Sequence, residues 1–434
     1  MLLEETPLSP RPLGVRRPTR RSLLTAGGAL AATGLTAGGL AGCSLSGTPR
    51  VTFYQAKQEA IPYFRDLTGE FNRSQSDYTY VHDISTKLSA AFVRRDPPDL
   101  GLLNYNHEMA RFMERGAMSD LADLPAASRI REDVLELADW YPTYEGRTSV
   151  IPYSVAACSV IYNKRLFADH GVEIPTTWDE FIAVCETFMG TDITPIYCTL
   201  MDLWTVTQGL FDYTVGGLID VREFYRAMNE IGEDVGPDSE VSFQNTMLEP
   251  IEQMISLLEF VNPDAASRSY ADGNDAVAQE KAAMYFQGPW ALVEIQKAGT
   301  DVELGTFPLP VTDDPDDLKV RVGVDLSLWI PEAANQPDGA RLLLEHLMTP
   351  EVQNPYNDAF LAFGTTKDAP PVTDPRISEM QGYYDEGRFY MGPSQFIPLT
   401  VPYENYLQSI VLGADPKPIL AQLDADWARL AYRA

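Results

Sequence analysis

Basic residues are scarce in this 434-residue chain: 33 Lys and Arg stand against 62 Asp and Glu, a formal net charge of −29. Such a surface repels the phosphate backbone of nucleic acid and offers no attraction to anionic lipid headgroups, so no nucleic-acid partner is expected. Cysteine is scarcer still. No two of the four (Cys43, Cys158, Cys185, Cys198) are spaced as Cys-x-x-Cys, which argues against a thiolate zinc or redox centre. In an oxidising compartment one pair among the last three can close a disulfide, and the spacing does not choose which. Histidine is limited to His82, His107, His170 and His346, with neither a His-Glu-x-x-His pair nor a Gly-x-Ser-x-Gly elbow in the chain. Metalloprotease and serine-hydrolase chemistry therefore lack their motifs, and no metal or cofactor is expected. So many acids will bring two carboxylates near any cleft by chance, and a secreted glycoside hydrolase is the enzyme alternative that composition leaves open.

One uncharged stretch, Ser22–Gly42, is long, but its Gly and Thr content makes it a poor permanent membrane span. Five arginines precede it: Arg11, Arg16, Arg17, Arg20 and Arg21. Positive segment, apolar segment, then small residues is the order of a secretory signal. The Arg20-Arg21 pair resembles a twin-arginine export signal, which a receptor reads as an address. The run ends in Leu40-Ala-Gly-Cys43, which resembles a bacterial lipobox with Cys43 as the lipidated residue. The expectation is a signal peptide over 1–42, a lipid anchor and linker over 43–49, and a protein exported and tethered at the outer face of the bacterial cell membrane. Each buried lipid methylene would contribute about 0.8 kcal/mol to that tether. Losing residues 1–42 would remove five basic and only two acidic residues and leave the remainder more acidic still.

Residues 43–434 exceed one ordinary core, and two domains are expected. Val51–Gln55 reads as a strand, Ile61–Asn72 as an amphipathic helix, Tyr78–Val81 as a strand, Leu88–Arg94 as a helix and Asp99–Leu103 as a buried strand. This is the α/β order, which predicts parallel pairing with right-handed crossovers. A second unit begins at Ser159–Tyr162. A helix follows Thr177, which can cap it with Glu180 answering three residues on. Ile193–Thr199 is the next strand and Leu248–Phe260 a helix. Ala276–Ala282 reads as a helix, Ala283–Phe286 and Gly323–Ile330 as strands, and Ala340–Met348 as a helix. Prolines 308, 310 and 315 among aspartates 313, 314, 316 and 317 mark an exposed loop.

Several segments resemble bacterial extracellular solute-binding proteins of ABC importers, of the maltose-binding type. They are Pro152-Tyr-Ser-Val-Ala-Ala-Cys-Ser-Val-Ile-Tyr-Asn-Lys-Arg-Leu-Phe167, His170-Gly-Val-Glu-Ile-Pro-Thr-Thr-Trp-Asp-Glu-Phe181, Asp96-Pro-Pro-Asp-Leu100, Glu280-Lys-Ala-Ala-Met284 and Gly288-Pro-Trp290, which together span most of residues 50–365. The resemblance implies an α/β, two-lobe periplasmic-binding-protein-like fold with a hinge and an interlobe ligand cleft. Lobe one would be 50–155 plus 325–366, and lobe two 157–321 plus 367–434. It further implies a monomeric, non-enzymatic receptor that closes on its solute and passes it to the membrane subunits of an ABC importer. A lipid anchor suits that work by raising local concentration at the importer. A binding protein that feeds a sensor is a further possibility. Some members carry a sugar-binding carboxylate in the first crossing segment. Here that position is Ala156, so the hydrogen-bond pattern of a maltose site is not kept.

A carbohydrate site needs flat rings and short polar side chains in a concavity, and open α/β sheets place ligands beyond their strand ends. Three loops qualify: Gln55-Ala-Lys57, Asn104-Tyr105-Asn106-His107, and Asp202-Leu-Trp204. The resemblance adds Trp290, after the Gly288-Pro289 turn, and Asp325, where the chain recrosses. Phe396, in Gln395-Phe-Ile-Pro398, is a candidate ring wall that would equally suit the core. The candidate ligand-binding set is thus Gln55, Lys57, Asn104, Tyr105, Asn106, Asp202, Trp204, Trp290, Asp325 and Phe396. Trp178 and Trp427 read as structural. Rings with neutral amides favour a sugar. A polyamine or a peptide is the alternative solute, since ring faces also attract cations by about 0.5–2 kcal/mol.

Overall fold

Strand and helix alternate first. β1 (Arg50–Tyr54) leads through helix Ile61–Ser74 to β2 (Thr79–Asp83), and helix Leu88–Arg94 leads to β3 (Leu100–Leu103). Phe64, Thr68 and Phe71 recur at four- and three-residue spacing on the buried face of the first helix, the stripe an amphipathic helix must cover. β1 pairs in parallel with both β2 and β3, as the α/β order predicts. The computed structural model describes residues 47–298 and 301–431. Residues 1–42, where a signal peptide is expected, and Cys43 lie outside the described residues. Contacts group Thr48–Ala434 as one compact unit.

The second half departs from the expected parallel pattern. β4 runs from Ile151 to Asn163, far longer than the strand expected at 159–162, and every residue of it is buried. β5 (Thr194–Tyr197), β6 (Ala282–Gln287), β7 (Leu304–Phe307), β8 (Val320–Trp329) and β9 (Phe389–Met391) follow. The sheet path is β2-β1-β3-β8-β4-β6-β5, with β7 on β4 and β9 on β8. β5–β6 and β8–β9 are parallel, but β3–β8, β4–β8, β4–β6 and β4–β7 are antiparallel. The sheet is mixed because β4 and β8 each serve two groups of strands. Residues 151–158 of β4 pair with β8, and residues 159–163 pair with β6 and β7. A register shift between Pro152 and Val155 bends β4 on entry, where a proline without an N–H is tolerated.

Helix Trp178–Met189 starts as expected, with Thr177 Oγ1 accepting from Glu180 N. The Glu180 carboxylate, however, takes Thr176 N, one residue earlier than expected. The helix expected at 276–282 is displaced. It spans Tyr270–Ala278, opened by a Ser269–Asp272 capping box, and Ala282 already belongs to β6. Asp313, Asp314, Asp316 and Asp317 are exposed, as the proline-rich loop suggested. Cys158, Cys185 and Cys198 are all buried free thiols, with no disulfide among them. Burial pushes the Cys198 thiol up to about 12, so it stays protonated and unreactive.

One buried ion pair ties β8 to its surroundings. Arg321 Nη2 donates to Asp212 Oδ2 at 2.8 Å, and Arg321 Nη1 donates to Cys158 Sγ at 3.1 Å. Asp212, in helix Asp212–Leu218, also accepts from Ser394 N and Ser394 Oγ, both at 2.9 Å. Removing one member leaves a buried charge unpaired, which typically costs about 3–5 kcal/mol. Asp212→Ala should therefore lower unfolding stability by about that amount in a denaturant titration. A loss under about 1 kcal/mol would contradict this reading of the pair.

Candidate functional site

The β4–β8 pairing makes a floor of small side chains. Ala156 lies in register with Gly323, beside Val155 opposite Val324. Two adjoining cavities of about 430 and 540 Å³ open above that floor. They share Lys57, Gln58, Glu59, Ala156, Trp290 and Asp325, so they are two ends of one cleft.

Charge gathers at the shared part. Lys57, in the loop after β1, places Nζ 2.6 and 2.7 Å from the two oxygens of Asp325 on β8. Glu59 lies 3.4 Å from the same Nζ. Asn104 Nδ2 donates to Asp325 Oδ1 at 3.2 Å, and Ser154 Oγ to Oδ2 at 3.4 Å. Burial works to lower the Lys57 pKa, but Asp325 and Glu59 outweigh it and hold the ammonium above its ordinary value.

Rings also line the cleft. Trp204 packs edge-on against Tyr270 at 4.9 Å between centroids, and tilts against Trp290 at 6.5 Å. Trp290 opens helix Pro289–Lys297 with Pro289 in its first turn, and its Nε1 donates to Gln287 Oε1 at 3.2 Å. The indole folds back over Gly288, where a Cβ would lie 2.3 Å from the ring. Glycine is therefore required for Trp290 to reach the cleft. Glu294, one turn along that helix, lines the first cavity with Tyr270. Gln208 reaches the second from a π-helical turn, Val206–Phe211. Such turns are rare and concentrate at functional sites.

Of the ten candidates, Lys57, Asn104, Asn106, Trp204, Trp290 and Asp325 meet around this cleft. Asn106 also caps helix His107–Glu114 through Met109 N. Tyr105 touches the cleft but is only 2% exposed. Its ring meets Tyr141 edge-on, and its hydroxyl donates to Ala138 O. Three candidates need correction. Gln55 is fully buried, its amide reaching only the Lys57 carbonyl. Asp202 accepts from Tyr270 N at 2.6 Å, so it positions a cleft ring from outside the lining. Phe396 is buried in a stack between Tyr141 at 4.6 Å and Tyr225 at 5.0 Å. His107 is likewise outside the lining, and burial beside Arg111 pushes its pKa down to about 4. Glu59, Gln208, Tyr270, Glu294, Arg321 and Gln395 also line the cleft, beyond the residues the sequence pointed to. Only Gln395 carried a signal, as the neighbour of Phe396. Among the described residues no cluster of three or more His, Cys, Asp and Glu could hold a metal ion.

Comparison with known proteins places this architecture. The sequence model of the bacterial extracellular solute-binding protein family matches residues 58–354, and the chain belongs to that family. A multiple sugar-binding protein of Streptococcus mutans is 24% identical over 345 residues, covering 76% of this chain and 80% of its own length. Among solved structures, the apo-form of RafE from Streptococcus pneumoniae superposes with a TM-score of 0.74 at 17% identity, covering 88% of this chain and 98% of its own. A sugar transporter of Bacillus licheniformis in complex with stachyose gives 0.68 at 15% identity, covering 88% and 100%. The fold is thus the two-lobed α/β binding-protein fold.

The Lys57 pair has a defined pH signature. A group whose folded pKa is raised contributes stability that is fully present below its unfolded pKa and is lost as pH rises through the folded value. The folded value lies above 10.5. The melting-temperature difference between wild type and Lys57→Met should therefore stay flat from about pH 6 to 9 and shrink only above about 10.5. A difference that changes between pH 6 and 9 would count against the pair.

Proposed function

We propose that this protein is the lipid-anchored receptor of an ABC importer and captures a sugar or oligosaccharide between its lobes. One observation carries this reading. Half-buried rings of Trp204, Tyr270 and Trp290 line the same pair of adjoining cavities as the polar group Lys57, Asp325 and Asn104. A pyranose has the matching chemistry, with apolar C–H faces for rings and equatorial hydroxyls for charged and amide groups. Cavities of about 430 and 540 Å³ suit small solutes. The S. mutans relative is a multiple sugar-binding protein, and the B. licheniformis structure holds stachyose, which supports the same class. The lobes are 50–155 with 325–366, and 157–321 with 367–434, the boundaries falling within the unbroken strands β4 and β8. The chain acts as a monomer and binds without turnover. Export runs through the arginine-led segment 1–42, and Cys43 carries the lipid.

A cationic solute such as a polyamine is the second reading. It is favoured by three carboxylates, Glu59, Glu294 and Asp325, lining the first cavity beside a single cation, Lys57.

The deciding experiment is a thermal-shift screen of residues 44–434 against sugars, oligosaccharides, polyamines and short peptides. A solute at 100 times its Kd stabilises by about 2.7 kcal/mol. The expected result is a shift with one sugar group and a Kd of about 0.1–10 µM. Shifts only with polyamines would transfer the assignment to the second reading. Trp290→Ala should weaken binding about tenfold or more while the protein stays folded, because a stacked ring face is lost. Unchanged affinity removes Trp290 from the site. Cys43→Ala should move the protein from the membrane to the soluble fraction of cells, and retention on the membrane would contradict lipidation there.

A further inference from the structure

We infer that Gln395 is a solute-contacting residue, presenting its amide N–H to an acceptor oxygen of the bound molecule, and that the buried Tyr141 hydroxyl is the positioning group that orients it. This rests on the reading of the cleft as the solute site, and it assigns that solute an acceptor oxygen at the β8 floor.

Gln395 sits in the short turn Pro393–Phe396 that follows β9. Both of its neighbours are pinned. Ser394 gives its N–H and its hydroxyl to Asp212, at 2.9 Å each, within the buried pair with Arg321. Phe396 is held between the rings of Tyr141 and Tyr225, at interplanar angles of 24° and 28°. Between these two fixed residues the Gln395 side chain lines the second cavity, half-buried. Tyr141 Oη donates to Gln395 Oε1 at 3.2 Å. Tyr141 is fully packed, and burial pushes its phenol well above the ordinary range, so it keeps the proton it donates. With Oε1 occupied, the amide turns Nε2 toward the cleft, and that nitrogen donates to no other described residue. Gly323 lies beneath it on β8, and a Cβ there would lie 3.1 Å from Nε2. The bare backbone at Gly323 thus gives the amide room over the floor, next to Val324 and Asp325. An amide held this way loses little freedom on binding, which is how a positioning group raises affinity without touching the solute.

The test is titration calorimetry of residues 44–434 with raffinose, stachyose, maltotriose, N,N′-diacetylchitobiose and spermidine, the tightest-binding compound then serving as the probe. Gln395→Glu keeps the acceptor for Tyr141 and removes the donor, while Gln395→Met removes both without adding charge. Each should weaken the probe about tenfold, the scale of one directed hydrogen bond lost on binding. Tyr141→Phe keeps the ring stack and removes the hydroxyl, and should weaken the probe about threefold to fivefold. In the Gln395→Met background it should then have no further effect, because the group it orients is gone. Near-wild-type affinity in both Gln395 variants overturns the proposal. So does an equal effect of Tyr141→Phe in both backgrounds, which would make Tyr141 merely structural. Binding of spermidine alone also overturns it, because a polyamine has no acceptor oxygen. Binding of nothing in the panel takes down the receptor reading first and this inference with it.

Discussion

Two antiparallel strands through the middle of the sheet set the terms for everything around them. β4 and β8 are paired from Ile151–Leu328 to Cys158–Arg321, and each belongs to two groups of strands. Sheet register is unforgiving, because a slip of one residue reverses every side chain. This register puts Ala156 opposite Gly323, with Asp325 and Arg321 two residues to either side of that glycine on the same strand. Small side chains keep the floor low. The charged ones above and below are held by partners from other elements: Lys57 and Asn104 for Asp325, Asp212 for Arg321.

The two ion pairs divide the work. Arg321–Asp212 is buried, and it knits β8 to helix Asp212–Leu218 and to the turn at Ser394. Lys57–Asp325 borders the cleft and keeps limited access to water. In the proposed site a partly desolvated pair of this kind would favour directed hydrogen bonds to a polar solute, while the lining rings would exclude water and supply dispersion. Aromatic contacts add about 0.5–1.5 kcal/mol each beyond their area. The proposed micromolar affinity, about −8 kcal/mol, would draw on area burial and hydrogen bonds as well as on these ring contacts.

Much of this was legible in the sequence, and the failures have physical causes. The strands and helices of residues 50–103 follow from apolar periodicity and short apolar runs: the first helix buries one clear face, and β3 is a short buried run. β4 was seen only at its end. Pro152, Ser154 and the alanines weaken the strand signal of a segment buried on both faces, where no alternation exists. The helix at 270–278 was displaced because its opening rests on a Ser-to-Asp capping box among polar residues. Around the cleft, Lys57 and Trp204 were legible because they follow strand ends, and Trp290 through the family resemblance at its Gly-Pro turn. Glu59, Tyr270 and Glu294 were missed because which face of a helix or turn meets a cleft is settled by tertiary packing. Phe396 and Gln395 show the limit most sharply. Phe396 was the candidate, yet the 3₁₀ turn sends its ring into the Tyr141–Tyr225 stack and the amide of its neighbour Gln395 into the cleft.

The measurement that tests the account most directly is hydrogen–deuterium exchange of residues 44–434 with and without a saturating oligosaccharide. Closure on a solute held above β4 and β8 predicts slowed exchange in segments contributed by both lobes: 55–60, 104–106, 204–208, 288–294, 323–325 and 393–396. Slowed exchange confined to one lobe, or to surfaces away from Lys57 and Trp290, would contradict the interlobe cleft as the place where this protein holds its solute.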